Sequence, residues 1–137
     1  LLIDYGYNSR EYFLAERNSG TLVCINNHNA NFEPLNNIGE QDISTFVNFS
    51  HLHNIFSSIN LKVHGYLSQS SFLLNLGILD IFEKKNYASD ERLIELNRLK
   101  NILLPNTMGE IFKVLIIAKN INKELLSTTN FNHTNKL

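Results

Sequence analysis

The stretch Leu1-Leu2-Ile3-Asp4-Tyr5-Gly6-Tyr7 opens the chain as a short apolar run that ends in a carboxylate, an aromatic ring and a glycine. A run of this kind is typical of a buried strand in a parallel sheet, whose carboxyl end delivers polar groups to a crevice. Such a strand needs neighbours on both edges, and no upstream segment supplies one. Because the first residue is Leu rather than Met, we expect the chain to be the back part of a longer protein.

Length and composition favour one compact domain and exclude several classes of function. The chain has 137 residues and a net charge of -1, which gives no electrostatic footprint for nucleic acid or an acidic membrane surface. Its one cysteine, Cys24, rules out an internal disulfide framework and is compatible with a reducing compartment. No segment reaches the roughly 20 apolar residues of a membrane span. We therefore predict neither a nucleic-acid partner nor a membrane span.

Hydrophobic spacing predicts strands that alternate with helices. The predicted strands are residues 1–5, 21–25, 61–67 and 111–118, and the predicted helices are 49–59 with Asn48 as N-cap, 68–76, and 89–104 with Ser89 as N-cap. Leu93, Leu96, Leu99 and Leu103 form an apolar stripe along the last of these helices, which we expect to pack against a sheet. Residues 6–41 are otherwise predicted to be long and irregular. The alternation indicates an α/β fold. Three main strands make a poor sheet on their own, so half of a doubly wound domain fits better than a complete small one.

Six blocks of sequence carry a family resemblance, and they occur in a fixed order with sensible gaps. The blocks are Leu2-Ile3-Asp4-Tyr5-Gly6-Tyr7, Glu11-Tyr12, Arg17-Asn18-Ser19-Gly20-Thr21-Leu22, Gly39-Glu40-Gln41-Asp42-Ile43, Gln69-Ser70-Ser71-Phe72-Leu73-Leu74-Asn75-Leu76-Gly77-Ile78, and Met108-Gly109-Glu110-Ile111-Phe112-Lys113-Val114. This series resembles the C-terminal half of the MidA-type S-adenosylmethionine-dependent methyltransferases, bacterial relatives of a mitochondrial complex I assembly factor that methylates an arginine. The resemblance runs from Leu1 to about Lys119.

The resemblance implies the C-terminal part of a Rossmann-like class I methyltransferase fold, with a mixed sheet and an antiparallel last strand. Residues 1–119 would belong to that domain, and residues 120–137 would form a polar, disordered tail. S-adenosylmethionine would be bound mainly by a missing N-terminal half, because this sequence has no Gly-rich strand-to-helix turn. We therefore expect no cofactor-binding residue in this chain and no activity from the chain alone.

The implied partners are a protein substrate with a target arginine, such as a subunit of respiratory complex I, and a separate N-terminal half. The implied compartment is the cytoplasm for a bacterial protein and the mitochondrial matrix for a eukaryotic one.

The candidate site residues lie where strands and loops end. A guanidinium stays protonated near neutral pH, so its methylation needs carboxylates that orient it and accept a proton. Asp4 is the predicted catalytic residue, although it could simply cap the following loop. The predicted substrate-binding residues are Tyr5, Gly6, Gln41, Asp42 and Gln69. We expect Gln41 and Asp42 to line one crevice with Asp4, and Tyr5 and Gln69 to flank it. Asp42 could equally be an ordinary turn carboxylate.

The histidines do not predict a metal site. His51 and His53 are two residues apart, which places them on different faces of a helix. Cys24 lies in an apolar stretch without an obvious base, which favours an inert thiol.

Two classes of function remain from the sequence. The first is the C-terminal portion of a protein-arginine methyltransferase. The alternative is a catalytically inactive fragment that acts as an interaction module through its open sheet edge.

Overall fold

The structure is a computed structural model that describes all residues from 1 to 137. The strands are Leu2–Tyr7 (β1), Val23–Asn26 (β2), Asn29–Asn31 (β3), Asp42–Ser44 (β4), Val47–Asn48 (β5), Lys62–Ser68 (β6) and Phe112–Ala118 (β7). The helices are Ser9–Tyr12 (α1), Phe49–Ser58 (α2), Gln69–Asn75 (α3), Ile78–Lys84 (α4), Ser89–Leu103 (α5) and Met108–Ile111 (α6). None of these helices has the length and apolar composition needed to cross a bilayer.

Four strands form the main sheet in the order β5-β1-β7-β6. β1 is parallel to β5 and antiparallel to β7, and β7 is antiparallel to β6. The predicted α/β class and the mixed sheet with an antiparallel last strand are therefore confirmed. β1 extends two residues beyond its predicted end, because Gly6 and Tyr7 pair with Val47 and Asn48 of β5.

Side chains alternate along the strands and give this sheet two faces. The face that we call the Asp4 face carries Leu2, Asp4, Lys113 and Leu115 of β1 and β7. The opposite face, the Tyr5 face, carries Ile3, Tyr5, Phe112 and Val114. Each face has its own buried cluster, which is Phe49, Tyr66 and Leu115 on the Asp4 face and Leu67, Val114 and Ile116 on the Tyr5 face. The sheet is thus covered from both sides at its centre.

Local capping explains where two of the helices begin. α2 begins at Phe49 because the Asn48 side chain accepts a hydrogen bond from the His51 backbone N–H, as predicted. α3 begins at Gln69 because the Ser68 hydroxyl accepts a hydrogen bond from the Ser71 backbone N–H.

α5 has nearly the predicted span but not the predicted packing. The residue before the helix is Ala88, without a side-chain cap, in place of Ser89. The helix contains no buried residue, and Leu93 of its leucine stripe is 64% exposed. The other three leucines of the stripe are half-buried, and the helix packs on α3 and α6 rather than on a sheet.

A second, three-stranded sheet is built around the strand predicted at residues 21–25, which the structure places at Val23–Asn26, and its other two strands were not predicted. Its order is β3-β2-β4, and both pairs are antiparallel. A two-residue turn at Asn27 and His28 joins β2 to β3, and both residues have positive φ angles of 48° and 63°. That geometry matches the right-handed twist of a tight hairpin, and Asn adopts it more readily than most residues.

The segment after residue 119 contacts the free edge of β6. The Asn132 side chain accepts a hydrogen bond from the Tyr66 backbone N–H at 3.0 Å and donates one to the His64 carbonyl at 3.0 Å. The His133 backbone N–H donates to the Tyr66 carbonyl at 2.8 Å. Residues 120–137, predicted as a disordered tail, thus have defined contacts in this structure. The division into residues 1–119 and 120–137 itself stays a prediction.

The other edge of the sheet is open along most of β1. Only Gly6 and Tyr7 pair with β5, so Leu2–Tyr5 has no partner on the side away from β7. Ile3 is 44% exposed and Tyr5 is 40% exposed. The Asp4 carboxylate accepts a hydrogen bond from the Tyr5 backbone N–H at 2.8 Å.

Candidate functional site

A cavity of about 620 Å³ lies between the Tyr5 face of β1 and the three-stranded sheet. It is lined by Tyr5, Val23, Ile25, Asp42, Ile43, Ser44, Phe46 and Ile111. We call it the Tyr5–Asp42 cavity, after the two predicted site residues that the fold brings together there. Six of its eight lining residues are hydrophobic, and its only carboxylate is that of Asp42.

Aromatic packing holds one wall of this cavity in place. The ring of Tyr5 lies against the ring of Phe112, with centroids 4.2 Å apart, because the two residues are paired across β1 and β7. Phe46 stacks on Tyr5 at 6.1 Å and contacts Tyr7 at 5.3 Å. The Arg17 guanidinium lies over the Tyr7 ring, 4.0 Å from its centroid. A ring next to the cavity, though not part of its lining, therefore already holds one guanidinium by a cation–π contact.

The opposite wall comes from the three-stranded sheet. Asp42 is paired with Ile25 across β4 and β2, and Ile43 beside it is 56% exposed. The Asp42 carboxylate is exposed and takes part in none of the three ion pairs of the chain. An unpaired carboxylate above an apolar and aromatic surface suits a ligand with a cationic head and an aliphatic stem.

Asp4 does not line this cavity. Adjacent residues of a strand point to opposite faces, so Asp4 emerges on the face opposite to Tyr5, in register with Lys113 of β7. The expected single crevice that contains both Asp4 and Asp42 is therefore not formed in this chain. In addition, Asp4 lies in the middle of β1 rather than at its end. The catalytic role of Asp4 stays a prediction.

Three other predicted site residues have structural contacts. Gln41 donates a hydrogen bond to the Glu33 carbonyl at 3.0 Å and accepts one from the Asn31 side chain at 3.0 Å. Gln69 donates to the Ile102 carbonyl at 3.1 Å, which ties α3 to α5. Gly6 is buried where β1 pairs with β5. None of the three lines the Tyr5–Asp42 cavity, and their predicted roles in substrate binding remain predictions.

Two helices, α1 and α3, begin just after the carboxyl ends of β1 and β6, and both have a capping side chain at their N-terminus. Free backbone N–H groups at a helix start are the usual partners of a charged cofactor group. At α1 the Asn8 side chain accepts from the Glu11 backbone N–H at 3.0 Å, and at α3 the Ser68 hydroxyl occupies the equivalent position. These two helix starts are therefore partly occupied by the chain's own side chains, and the expectation that this chain holds no cofactor-binding residue stays a prediction. No group of three or more His, Cys, Asp or Glu side chains lies close enough to hold a metal ion.

Sequence reasoning missed a second group of polar residues, on the Asp4 face at the carboxyl ends of β1 and β6. Glu11, Tyr66 and Glu110 line a separate cavity there with Lys113 and other residues. Glu11 and Glu110 both lie in blocks that carried the family resemblance. Their place in those blocks was the only sequence feature that could have pointed to this group.

Comparison with known proteins gives matches by sequence family and by structure. Residues 1–67 match the model of a family described as "Putative S-adenosyl-L-methionine-dependent methyltransferase". No curated protein matches the chain.

Two solved structures from Burkholderia thailandensis match nearly the whole chain. One is a COG1565 superfamily member, inferred to be a methyltransferase and bound to S-adenosyl-homocysteine. Its sequence is 33% identical to this chain, and the two structures superpose with a TM-score of 0.93. The match covers 98% of this chain and 35% of the Burkholderia thailandensis protein. The other is an uncharacterized COG1565 superfamily protein, whose sequence is 33% identical to this chain and whose structure superposes with a TM-score of 0.94. This match covers 98% of this chain and 36% of that protein.

The chain thus spans about a third of the length of the solved structures it matches. By sequence over residues 1–67 and by fold over nearly its whole length, it is similar to the S-adenosylmethionine-dependent methyltransferases of this family.

Proposed function

We propose that this chain is the C-terminal portion of an S-adenosylmethionine-dependent methyltransferase whose methyl acceptor is a protein arginine. The observation that carries the methyltransferase assignment is the match to a structure with bound S-adenosyl-homocysteine, at 33% identity and a TM-score of 0.93. S-adenosyl-homocysteine is what remains of S-adenosylmethionine once its methyl group has been transferred. Since the chain covers 35% of that protein, the cofactor would be bound mainly by residues outside this chain.

The open edge of β1 supports association with such an N-terminal portion. Leu2–Tyr5 lacks a neighbour on one side, and the apolar side chains of Ile3 and Tyr5 are more than a third exposed there. A parallel strand added at this edge would satisfy the free backbone groups and cover these side chains. It would also close one side of the Tyr5–Asp42 cavity.

The Tyr5–Asp42 cavity supports arginine as the acceptor. Its apolar walls fit the aliphatic stem of an arginine, and the aromatic row with Asp42 fits the guanidinium. Methylation of a guanidinium nitrogen releases one proton, and an adjacent carboxylate can orient the group and accept that proton. In this proposal Asp42 orients the guanidinium, and the catalytic role predicted for Asp4 is tested beside it.

The experiment uses a chimera in which this chain replaces the matching third of the S-adenosyl-homocysteine-binding Burkholderia thailandensis protein. Calorimetry measures binding of S-adenosyl-homocysteine, and transfer from methyl-labelled S-adenosylmethionine is measured to peptides that contain arginine or, as controls, lysine at the same position. We expect cofactor binding and labelling of the arginine peptides alone. Cofactor binding with labelling of the lysine peptides would disprove the arginine assignment. A folded chimera that cannot bind S-adenosyl-homocysteine would contradict the methyltransferase assignment.

Two matched variants of the chimera decide between the carboxylates. Asp42→Asn and Asp4→Asn each remove one charge without changing shape, and loss of a positioned proton acceptor typically costs about 10²- to 10⁴-fold in rate. We expect Asp42→Asn to show a loss of this size. Normal turnover in Asp42→Asn together with a large loss in Asp4→Asn would move the chemistry to the Asp4 face.

A further inference from the structure

A second cavity lies on the Asp4 face, at the carboxyl ends of β1 and β6, where open α/β sheets commonly bind ligands. Its volume is about 160 Å³, roughly tenfold the volume that a single water requires. Its charged and titratable lining includes Glu11, Glu110, Lys113, His133 and Lys136. These residues come from α1, α6, β7 and the C-terminal segment, so only the completed fold brings them together. We call this the Tyr66 cavity, after the tyrosine in its wall.

Tyr66 is the observation that points to a ligand. Its side chain lines the cavity and is 4% exposed, and its hydroxyl has no hydrogen-bond partner. Buried hydroxyls nearly always have a partner. Burial, and then the Glu11 carboxylate, raise the pKa of Tyr66 above its ordinary value, so the hydroxyl stays protonated near neutral pH. The wall of the cavity therefore contains a residue whose buried O–H donor lacks an acceptor.

The charges around the cavity leave one free carboxylate and one free ammonium. Glu110 is already engaged, because it accepts from the Ser70 hydroxyl at 3.1 Å and lies 3.7 Å from the Lys113 ammonium. Glu11 and Lys136 belong to none of the ion pairs of the chain. Burial and the neighbouring Lys136 lower the pKa of His133, so its ring is neutral near pH 7 and adds no charge.

We propose that the Tyr66 cavity binds a free α-amino acid as its zwitterion. The carboxylate of the ligand would accept hydrogen bonds from the Tyr66 hydroxyl and the Lys136 ammonium, and its ammonium group would pair with Glu11. A simple anion would leave Glu11 unpaired beside it, and a simple cation would leave Lys136 unpaired. Glu11 and Lys136 are both exposed at the mouth of the cavity, and a ligand with both charges would pair with the two of them at once. This inference does not depend on the methyltransferase function.

The test is calorimetric titration of the 137-residue chain with glycine, alanine and methionine. The matched probes are acetate, which has only the carboxylate, and methylamine, which has only the ammonium. S-adenosyl-homocysteine is titrated as well, because it carries an α-amino acid group on a larger molecule. We expect saturable binding of at least one amino acid that is about tenfold or more tighter than binding of acetate or methylamine. Equal binding of the single-charge probes, or binding of S-adenosyl-homocysteine alone, would overturn the proposal.

Two variants separate a ligand site from a structural network. Tyr66→Phe keeps the ring in the core and removes only the hydroxyl, and Tyr87→Phe is the control because Tyr87 lies outside this cavity. We expect Tyr66→Phe to weaken amino-acid binding about tenfold while the midpoint of unfolding without ligand stays the same or rises. Glu11→Gln should weaken binding of amino acids but not of acetate. If both variants bind like the parent chain, the proposal is wrong. Should circular dichroism show the isolated chain unfolded, the same titrations in the chimera test the proposal by the same criteria.

Discussion

Gly6 offers the sharpest test of how the fold supports the candidate site. It is a predicted substrate-binding residue, yet the structure gives it a packing role. A Cβ atom built on Gly6 would meet the Val47 carbonyl oxygen and would lie 2.6 Å from Cε2 of Phe49. Phe49 is fully buried and Val47 belongs to β5, so neither can move without disturbing the main sheet. Gly6→Ala should therefore separate β1 from β5.

The expected cost of Gly6→Ala is about 2 kcal/mol, the middle of the range for overpacking in a well-packed core. For a chain of this size that corresponds to a fall of roughly 4–8 °C in the midpoint of thermal unfolding. In urea it corresponds to a midpoint about 1 M lower with an unchanged slope. The measurement is urea unfolding followed by circular dichroism.

The matched control is Gly39→Asn. Gly39 has a φ of +83° and no heavy atom within 4 Å of the position that a Cβ would take, and Asn tolerates positive φ better than most residues. This variant should lose less than about 1 kcal/mol. A Gly6→Ala chain as stable as the parent would refute the packing argument. If the chimera with Gly6→Ala also lost turnover at full stability, the predicted role of Gly6 in substrate binding would be supported instead.

Three further predictions concern stability and are measured by the same unfolding assay. Phe49→Ala should lower the free energy of unfolding by about 3–5 kcal/mol because the ring is fully buried. Phe32→Ala, at a side chain that is 72% exposed, should change it by less than about 0.5 kcal/mol. Similar losses in the two variants would contradict the assigned core. Asn48→Ala should cost about 1 kcal/mol through loss of the α2 cap, and the exposed helix residue Asn54 serves as a control in which Ala is neutral or stabilising. Because the folded state raises the pKa of Tyr66, the unfolded chain loses this proton first, and stability should decline as the pH rises above about 10. If the Tyr66→Phe chain loses stability over the same pH range, the decline comes from other titrating groups.

Features that depend on neighbouring residues were the ones that the sequence predicted well. The Asn48 cap and the apolar spacing after it placed α2 correctly, because a cap is a contact between residues three positions apart. The apolar run at residues 111–118 likewise predicted the buried strand β7, because the whole signal lies within one continuous segment. The hairpin at Asn27 and His28 was missed, since its strands are short and its turn has no glycine to mark it.

Features that depend on distant residues were harder to predict. Alternation along β1 separates Asp4 from Tyr5, but the predicted crevice ignored this because the position of β4 was unknown. The Tyr66 cavity joins Glu11 to Lys136 across nearly the whole chain, and no local pattern predicts such a meeting. The leucine stripe of α5 suggested burial, but a stripe does not say which element covers it.

The two edges of the main sheet differ in whether their backbone groups are free to pair with another strand. At β6 the Asn132 side chain copies the hydrogen bonds of a neighbouring strand, which blocks pairing with another chain there. At β1 no such cover exists over Leu2–Tyr5. Of the two edges of the main sheet, the one at β1 is therefore open to a strand from another chain. The Asn132 contacts thus leave the main sheet able to add a strand at one edge, which opposes its continuous growth in both directions.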